Sequence, residues 1–180
     1  MRGSISVLIV SACVFLSVQE RHLLHMSAPD AFEVFGRFPD LVAISDSNND
    51  TIMECLALKR TEFNPKDKTA TYVFQFRSFH VTEKKNVTFH VTDGSTPDRF
   101  GYYTEDDPEE RYVGIIRYTN HINCYVVDGP YHNGEQCVLF VSKGTEDDVP
   151  IQCTKEFEDI CGVTVKLYSR DLCTEDQQED

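Results

Sequence analysis

The chain has 180 residues and a formal net charge of −13, a size that suits one domain with a single core or an enclosed cavity. So negative a surface repels nucleic acid and acidic membranes, which excludes both as partners. The 12 Phe and 8 Tyr stand against no Trp, so any apolar interior is built from phenyl and phenol rings.

Residues 1–19 read as a secretory signal peptide: Met1 and Arg2 precede an apolar run of about 14 residues, and Glu20 and Arg21 follow it. That run is short of the roughly 20 residues a membrane-spanning helix needs, so residues 20–180 are expected as one secreted domain. Next, Ser27 or Asp30 can cap a short helix through Ala31-Phe32-Glu33-Val34-Phe35, which Gly36 and Pro39 stop.

From residue 40 onward, short apolar stretches rich in Val, Ile, Phe, Tyr and Thr alternate with polar breaks. This rhythm predicts strands over 40–47, 53–62, 69–78, 86–93, 99–104, 111–119, 122–128 and 136–142. The breaks at Asn64-Pro65-Lys66-Asp67, Asp93-Gly94-Ser95-Thr96-Pro97, Asp106-Asp107-Pro108, Asp128-Gly129-Pro130 and Asn133-Gly134 are turn formers. Eight strands in a meander can close into an antiparallel barrel around one small ligand. Beyond Pro150, the spacing of Ile151, Lys155, Phe157, Ile160 and Cys161 predicts an amphipathic helix that ends at Gly162. Residues 163–168 alternate again and are expected beside the barrel, and 174–180 form an acidic, solvated tail.

Of the seven cysteines Cys13 falls in the leader, leaving Cys55, Cys124, Cys137, Cys153, Cys161 and Cys173. Six in an exported chain predict three disulfides, but spacing alone leaves the pairing open. No CxxC or Cys/His spacing points to a metal, and no cofactor motif is present. Sequons at Asn49-Asp50-Thr51 and Asn86-Val87-Thr88 make Asn49 and Asn86 candidate glycosylation sites. An enzyme is not expected: there is no nucleophile elbow, P-loop or HExxH, and the histidines are scattered, although His80 and His90 could meet across a hairpin.

Several segments together resemble the salivary lipocalins of ticks, the histamine-binding family. They are Asp30-Ala31-Phe32, Cys55, the run Phe100, Tyr102, Thr104-Glu105-Asp106, then Asn123-Cys124, the stretch from Val149-Pro150 to Cys153, and the terminal Cys173. The likeness covers about residues 30–173, without the Gly-x-Trp opening usual in lipocalins. It implies an all-β fold, an eight-stranded antiparallel lipocalin (calycin) barrel with a short N-terminal helix and a C-terminal amphipathic helix. It also implies bridges Cys55–Cys173 and Cys124–Cys153, which leaves Cys137 for Cys161.

Carried over by position, the resemblance makes Phe100, Tyr102 and Tyr112 pocket aromatics, and strand alternation adds Phe74 and Phe76 beside Tyr72. The same faces would serve equally to fill a packed core. Amine-binding members place a carboxylate after the cysteine of the seventh strand and another in the eighth; here Tyr125 and Val138 stand there, with Phe140 for the expected Trp or Tyr. Only Asp50 matches an acid near the mouth. A buried ammonium needs inward carboxylates, so the expected ligand shifts from histamine or serotonin to a leukotriene, a thromboxane or a fatty acid. Such a ligand needs a basic partner; Arg77, Arg117 and His121 are the candidates, although alternation against Tyr112, Gly114, Ile116 and Tyr118 turns Arg117 outward. The expected actor is a monomer that sequesters a host mediator, with capture of a host protein by loops 128–134 or 145–149 as the alternative.

Overall fold

The computed structural model describes residues 28–76, 85–132 and 134–173. The leader, Arg77, His80, Asn133 and the 174–180 tail lie outside that set. In chain order the elements are α1 (Ala31–Arg37), β1 (Asp40–Asp46), β2 (Ala57–Asn64), β3 (Thr69–Phe76), β4 (Lys85–Asp93) and β5 (Arg99–Thr104), followed by β6 (Asp107–Thr119), β7 (Cys124–Tyr131), β8 (Gly134–Ser142), α2 (Ile151–Cys161), β9 (Val165–Lys166) and α3 (Arg170–Cys173).

Strands β1 to β8 form an antiparallel meander that closes on itself, because β1 pairs with β8 on one side and with β2 on the other. The short β9 adds to β1 at Ser45 and Asp46. Closure leaves no long unpaired edge, and eight strands leave an interior just wide enough for side chains or one small ligand.

The α1 helix begins where Asp30 accepts from the N–H groups of Phe32 (2.8 Å) and Glu33 (3.0 Å), satisfying two donors of the first turn. Its apolar residues Ala31, Phe32, Val34 and Phe35 are buried, and the helix closes one end of the barrel. The closure is tied down by Tyr72, whose hydroxyl donates to the carbonyls of Phe38 (2.9 Å) and Phe35 (3.3 Å), and by Arg60, which also donates to Phe35. The opposite end gathers the β1–β2 loop, the β5–β6 turn and the β7–β8 turn.

Alternation divides the apolar residues into two cores. Inward residues such as Leu58, Tyr72, Phe89, Phe100, Tyr125 and Phe140 fill the barrel, while Val42, Ile44, Val126, Leu139 and Val141 point outward beneath Cys153 and Phe157 of α2. Three disulfides fasten the outer layer: Cys55–Cys173, Cys124–Cys153 and Cys137–Cys161. This is the pairing that the family likeness implies.

Four boundaries differ from the sequence expectation. Asp128-Gly129-Pro130 is not a turn but part of β7, because the hairpin stays paired as far as Tyr131 opposite Gly134. Strand β2 starts at Ala57 rather than near 53, since Thr51 and Cys55 adopt positive φ (60° and 54°) and residues 52–55 turn to bring Cys55 to its bridge. Asp107 and Pro108 belong to β6, so the β5–β6 turn is tighter than the Asp-Asp-Pro run suggests. Strand β7 starts at Cys124 rather than near 122, because the Asn120 side chain accepts from the N–H groups of Ile122, Asn123 and Cys124, each at 3.0 Å.

Candidate ligand cavity

A cavity of about 80 Å³ lies inside the barrel, between α1 and the open end. One water needs roughly 10–15 Å³ on that measure, so the space exceeds a packing defect. Phe35 of α1 and Tyr72, Phe100, Tyr125 and Phe140 wall the closed end, and Phe74, Phe89, Tyr102, Tyr131 and Gln136 continue toward the mouth.

Of the residues expected to hold a ligand, Phe74, Phe100, Tyr102, Tyr125, Val138 and Phe140 line this cavity. Phe76 sits beside it rather than on its wall, stacked on Tyr131 with ring centres 5.6 Å apart and planes at 6°. Tyr112 is also displaced from the wall and packs against Tyr102 at 5.4 Å. Asp50 stands at the mouth, accepting from Gln136 Nε2 at 2.9 Å and from the Ile52 N–H at 3.0 Å.

Ring contacts set the shape. Phe74 stacks on Phe89 at 3.8 Å, and Phe35 meets Phe100 edge-on at 4.9 Å with planes at 87°. The Phe100 ring lies so close over Gly114 that a Cβ there would come within 2.2 Å of its Cζ. Tyr102 is held across the barrel by donating its hydroxyl to the Pro130 carbonyl. Burial pushes the hydroxyls of Tyr72, Tyr102, Tyr125 and Tyr131 above the usual phenol range, so they are neutral at physiological pH.

The electrostatics of the interior are one-sided. No Lys, Arg or His lines the cavity, and none is buried among the described residues. Arg117 points outward, its side chain 44% exposed and 3.2 Å from Asp128. His121 lies across the barrel from the mouth, 3.8 Å from Glu33 of α1. The acceptors are more notable. Asp46 is completely buried, and burial together with the neighbouring Asp50 carries its carboxyl up to about 6, although backbone donors at Asn48, Ser47 and Cys137 oppose the rise. Asp46 Oδ2 and Gln136 Oε1 are both buried without a hydrogen-bond partner among the described residues. Asp46 pairs with the cavity-lining Val138, and Gln136 lies two residues earlier on β8, so register puts all three on the inner face.

Sequence reasoning missed Asp46 because simple alternation from Leu41 and Ala43 turns it outward. A register shift between Ala43 and Ser45 reverses the phase. A second shift between Ile116 and Tyr118 works the other way: Ile116 stays in the barrel, but Tyr118 goes to the outer core under α2 rather than sharing a face with Tyr112. Phe35 carries no periodic signal toward a pocket, whereas Phe89 follows from the Val87-Phe89-Val91 alternation and Gln136 from its spacing to Val138 and Phe140. Asp128, Cys137 and Cys161 bring ligand-type atoms within 4.8 Å of one another, but both sulfurs are committed to one disulfide.

A closed eight-stranded antiparallel barrel with a plugged end, an apolar internal cavity and a helix packed outside after the last barrel strand defines a lipocalin. Solved structures of similar fold include japanin from Rhipicephalus appendiculatus bound to cholesterol, with 14% identity, TM-score 0.56, and coverage of 73% of this chain and 94% of that one. AM182 in complex with serotonin matches at 13% identity and TM-score 0.61 over 79% of this chain and 91% of its own. LTBP1 in complex with LTC4 matches at 13% identity and TM-score 0.53 over 79% and 88%. No curated protein sequence matches the chain. The family model of the tick histamine binding protein matches residues 41–175, and the chain belongs to that family of small-ligand-binding lipocalins.

Proposed function

We propose that the protein is secreted into tick saliva and sequesters a small host mediator of inflammation or haemostasis inside its barrel, holding it without turnover and so blunting host defence. The observation that carries this reading is the cavity: a space inside the barrel walled almost wholly by aromatic and aliphatic side chains. A lipid mediator of the leukotriene, thromboxane or fatty-acid kind suits such a wall, because transfer of its chain from water contributes about 25 cal/mol for each Å² buried. No basic side chain meets a carboxylate inside, so that group stays in solvent outside the barrel. Proteins of similar fold have been solved with cholesterol and with LTC4 bound, which supports lipid capacity for the scaffold.

Biogenic amine binding is the second reading, and Asp46 supports it. The two family positions that lack acids are Tyr125 and Val138, yet Asp46 pairs with Val138 across the strands and, with Asp50, brings carboxylates to the mouth side of the barrel. Secretion accords with the three disulfides, and the sequon residues Asn49 and Asn86 are exposed, as glycan carriers must be.

Titration calorimetry against leukotrienes, a thromboxane analogue, arachidonic acid, histamine and serotonin tests the assignment. Submicromolar binding of a lipid with weak or absent amine binding is expected. Tight histamine binding alone would replace the lipid by the amine. If no small molecule binds and activity survives blocking of the cavity, capture of a host protein by the surface loops takes over.

A further inference from the structure

We infer that Gln136, backed by Asp46, is the polar anchor of the cavity and selects ligands whose buried end is a hydrogen-bond donor, a hydroxyl or an ammonium, over ligands that present a carboxylate. The inference rests on the reading of the cavity as a ligand site and says which end of the ligand goes in.

Gln136 is 3% exposed, lines the cavity, and spends its Nε2 on Asp50 at 2.9 Å. That bond orients the amide, since Asp50 as a carboxylate accepts only, so the NH2 must face it and Oε1 must face away. Oε1 then has no partner among the described residues. Buried amide oxygens are almost always satisfied, because an orphan acceptor pays its desolvation with nothing in return. Asp46 on the adjacent strand repeats the pattern, fully buried with Oδ2 unpartnered. Two orphan acceptors on one inner face, with no buried basic residue anywhere among the described residues, leave a deficit of donors.

A ligand hydroxyl or ammonium supplies donors. A carboxylate supplies more acceptors and meets Asp46 and Asp50 as like charges, so it is repelled from this end. For a lipid mediator carrying both groups, the hydroxyl enters and the carboxylate remains in solvent. The selectivity comes from residues other than the two positions at which amine-binding relatives carry acids, here Tyr125 and Val138.

Three probes that share one ring system separate the possibilities: 2-naphthol, 2-naphthylmethylammonium and 2-naphthoate, each titrated into the full chain with its three disulfides intact. At least one donor-headed probe is expected to bind ten times or more tighter than naphthoate. In Gln136→Met, which keeps the length of the side chain, the naphthol advantage should fall roughly tenfold, the usual effect of one lost hydrogen bond. In Asp46→Asn the ammonium should lose more than the naphthol, which identifies a charged head if that arm leads. Near-ultraviolet circular dichroism of both variants reports whether the barrel is retained. Should Gln136→Met not fold, Gln136→Glu provides the second route, because an added carboxylate must weaken naphthoate further and spare the ammonium. Naphthoate binding as well as the donors, or a donor preference that neither variant alters, overturns the inference while leaving the cavity a ligand site. Failure of all three probes to bind removes the ligand-site reading and this inference with it.

Discussion

A carboxylic acid with no exposed surface and one unpartnered oxygen, as at Asp46, leaves a mark on stability that can be measured. Its folded pKa, about 6, lies above the ordinary 3.8, so between those values the folded protein holds a proton that the unfolded chain has released. Stability from this group therefore falls as pH rises through that window and stays low above it. Asp46→Asn removes the titration and preserves an oxygen for the Asn48 N–H, now 3.2 Å away. The variant should gain up to about 3 kcal/mol at pH 7.5 and almost nothing at pH 4. Thermal melts of both proteins at the two pH values check this, and equal effects at both would mean that Asp46 does not titrate as a buried acid. Gly114 makes the opposite case, a position where an added atom harms. Its missing Cβ is the space occupied by the Phe100 ring, so Gly114→Ala drives that ring toward the cavity. A loss of roughly 1–3 kcal/mol of stability and a tenfold or greater drop in ligand affinity are expected, with all three bridges still formed. Unchanged affinity in a calorimetric titration would place the bound ligand away from Phe100.

Among the elements, the strands were legible in the sequence and their phase was legible only where no bulge intervenes. Alternation of apolar residues locates β3, β4, β5 and β8 to within a few residues, because a half-buried strand must repeat every second position. A bulge leaves no such trace. The shift at Ala43/Ser45 carries Asp46 inward, and the shift at Ile116/Tyr118 carries Tyr118 outward, each by inserting a residue whose cause is the geometry of barrel closure rather than local composition. The six expected residues that line the cavity lie where alternation holds, and so does Gln136, a polar residue on the face of Val138 and Phe140; only Asp46 is hidden by a bulge. Turn formers misled at Asp128-Gly129-Pro130, where Gly129 faces Tyr102 so closely that a Cβ would come within 3.2 Å of the hydroxyl. There glycine answers a packing demand inside a strand. The bridges join elements of different reach. Cys55–Cys173 spans 118 residues, whereas Cys137–Cys161 spans 24. In the chain-entropy account the long loop contributes more, by about 1 kcal/mol. Paired Cys→Ser variants compared by urea unfolding should follow that order. The reverse order would show that the anchoring of α2 to β8, and not the entropy of the open chain, governs what the bridges contribute.

At the scale of the whole molecule, the closed end, the stacked rings and the outer helix make a container whose interior is nearly full when empty of cargo. A cavity of about 80 Å³ is smaller than the roughly 150 Å³ that holds one benzene, so a ring system as well as a long lipid needs the rings near the mouth to move. The stacked pair Phe76 and Tyr131 stands where that movement would occur. Ligand binding to the folded chain alone must then raise stability by mass action, by about 2.7 kcal/mol at a free concentration a hundred times Kd. For a chain of this length that corresponds to a rise of roughly 5–10 °C in the thermal midpoint. A true cargo should give this shift, scale it with the logarithm of concentration, and have it cut by about half or more in Gly114→Ala. A compound that binds an outer surface loop would raise the midpoint of the wild type and of Gly114→Ala alike. Differential scanning calorimetry of the two proteins across a concentration series therefore separates a molecule held within the barrel from one held on it, and an identical response in both would transfer the function from the cavity to the surface.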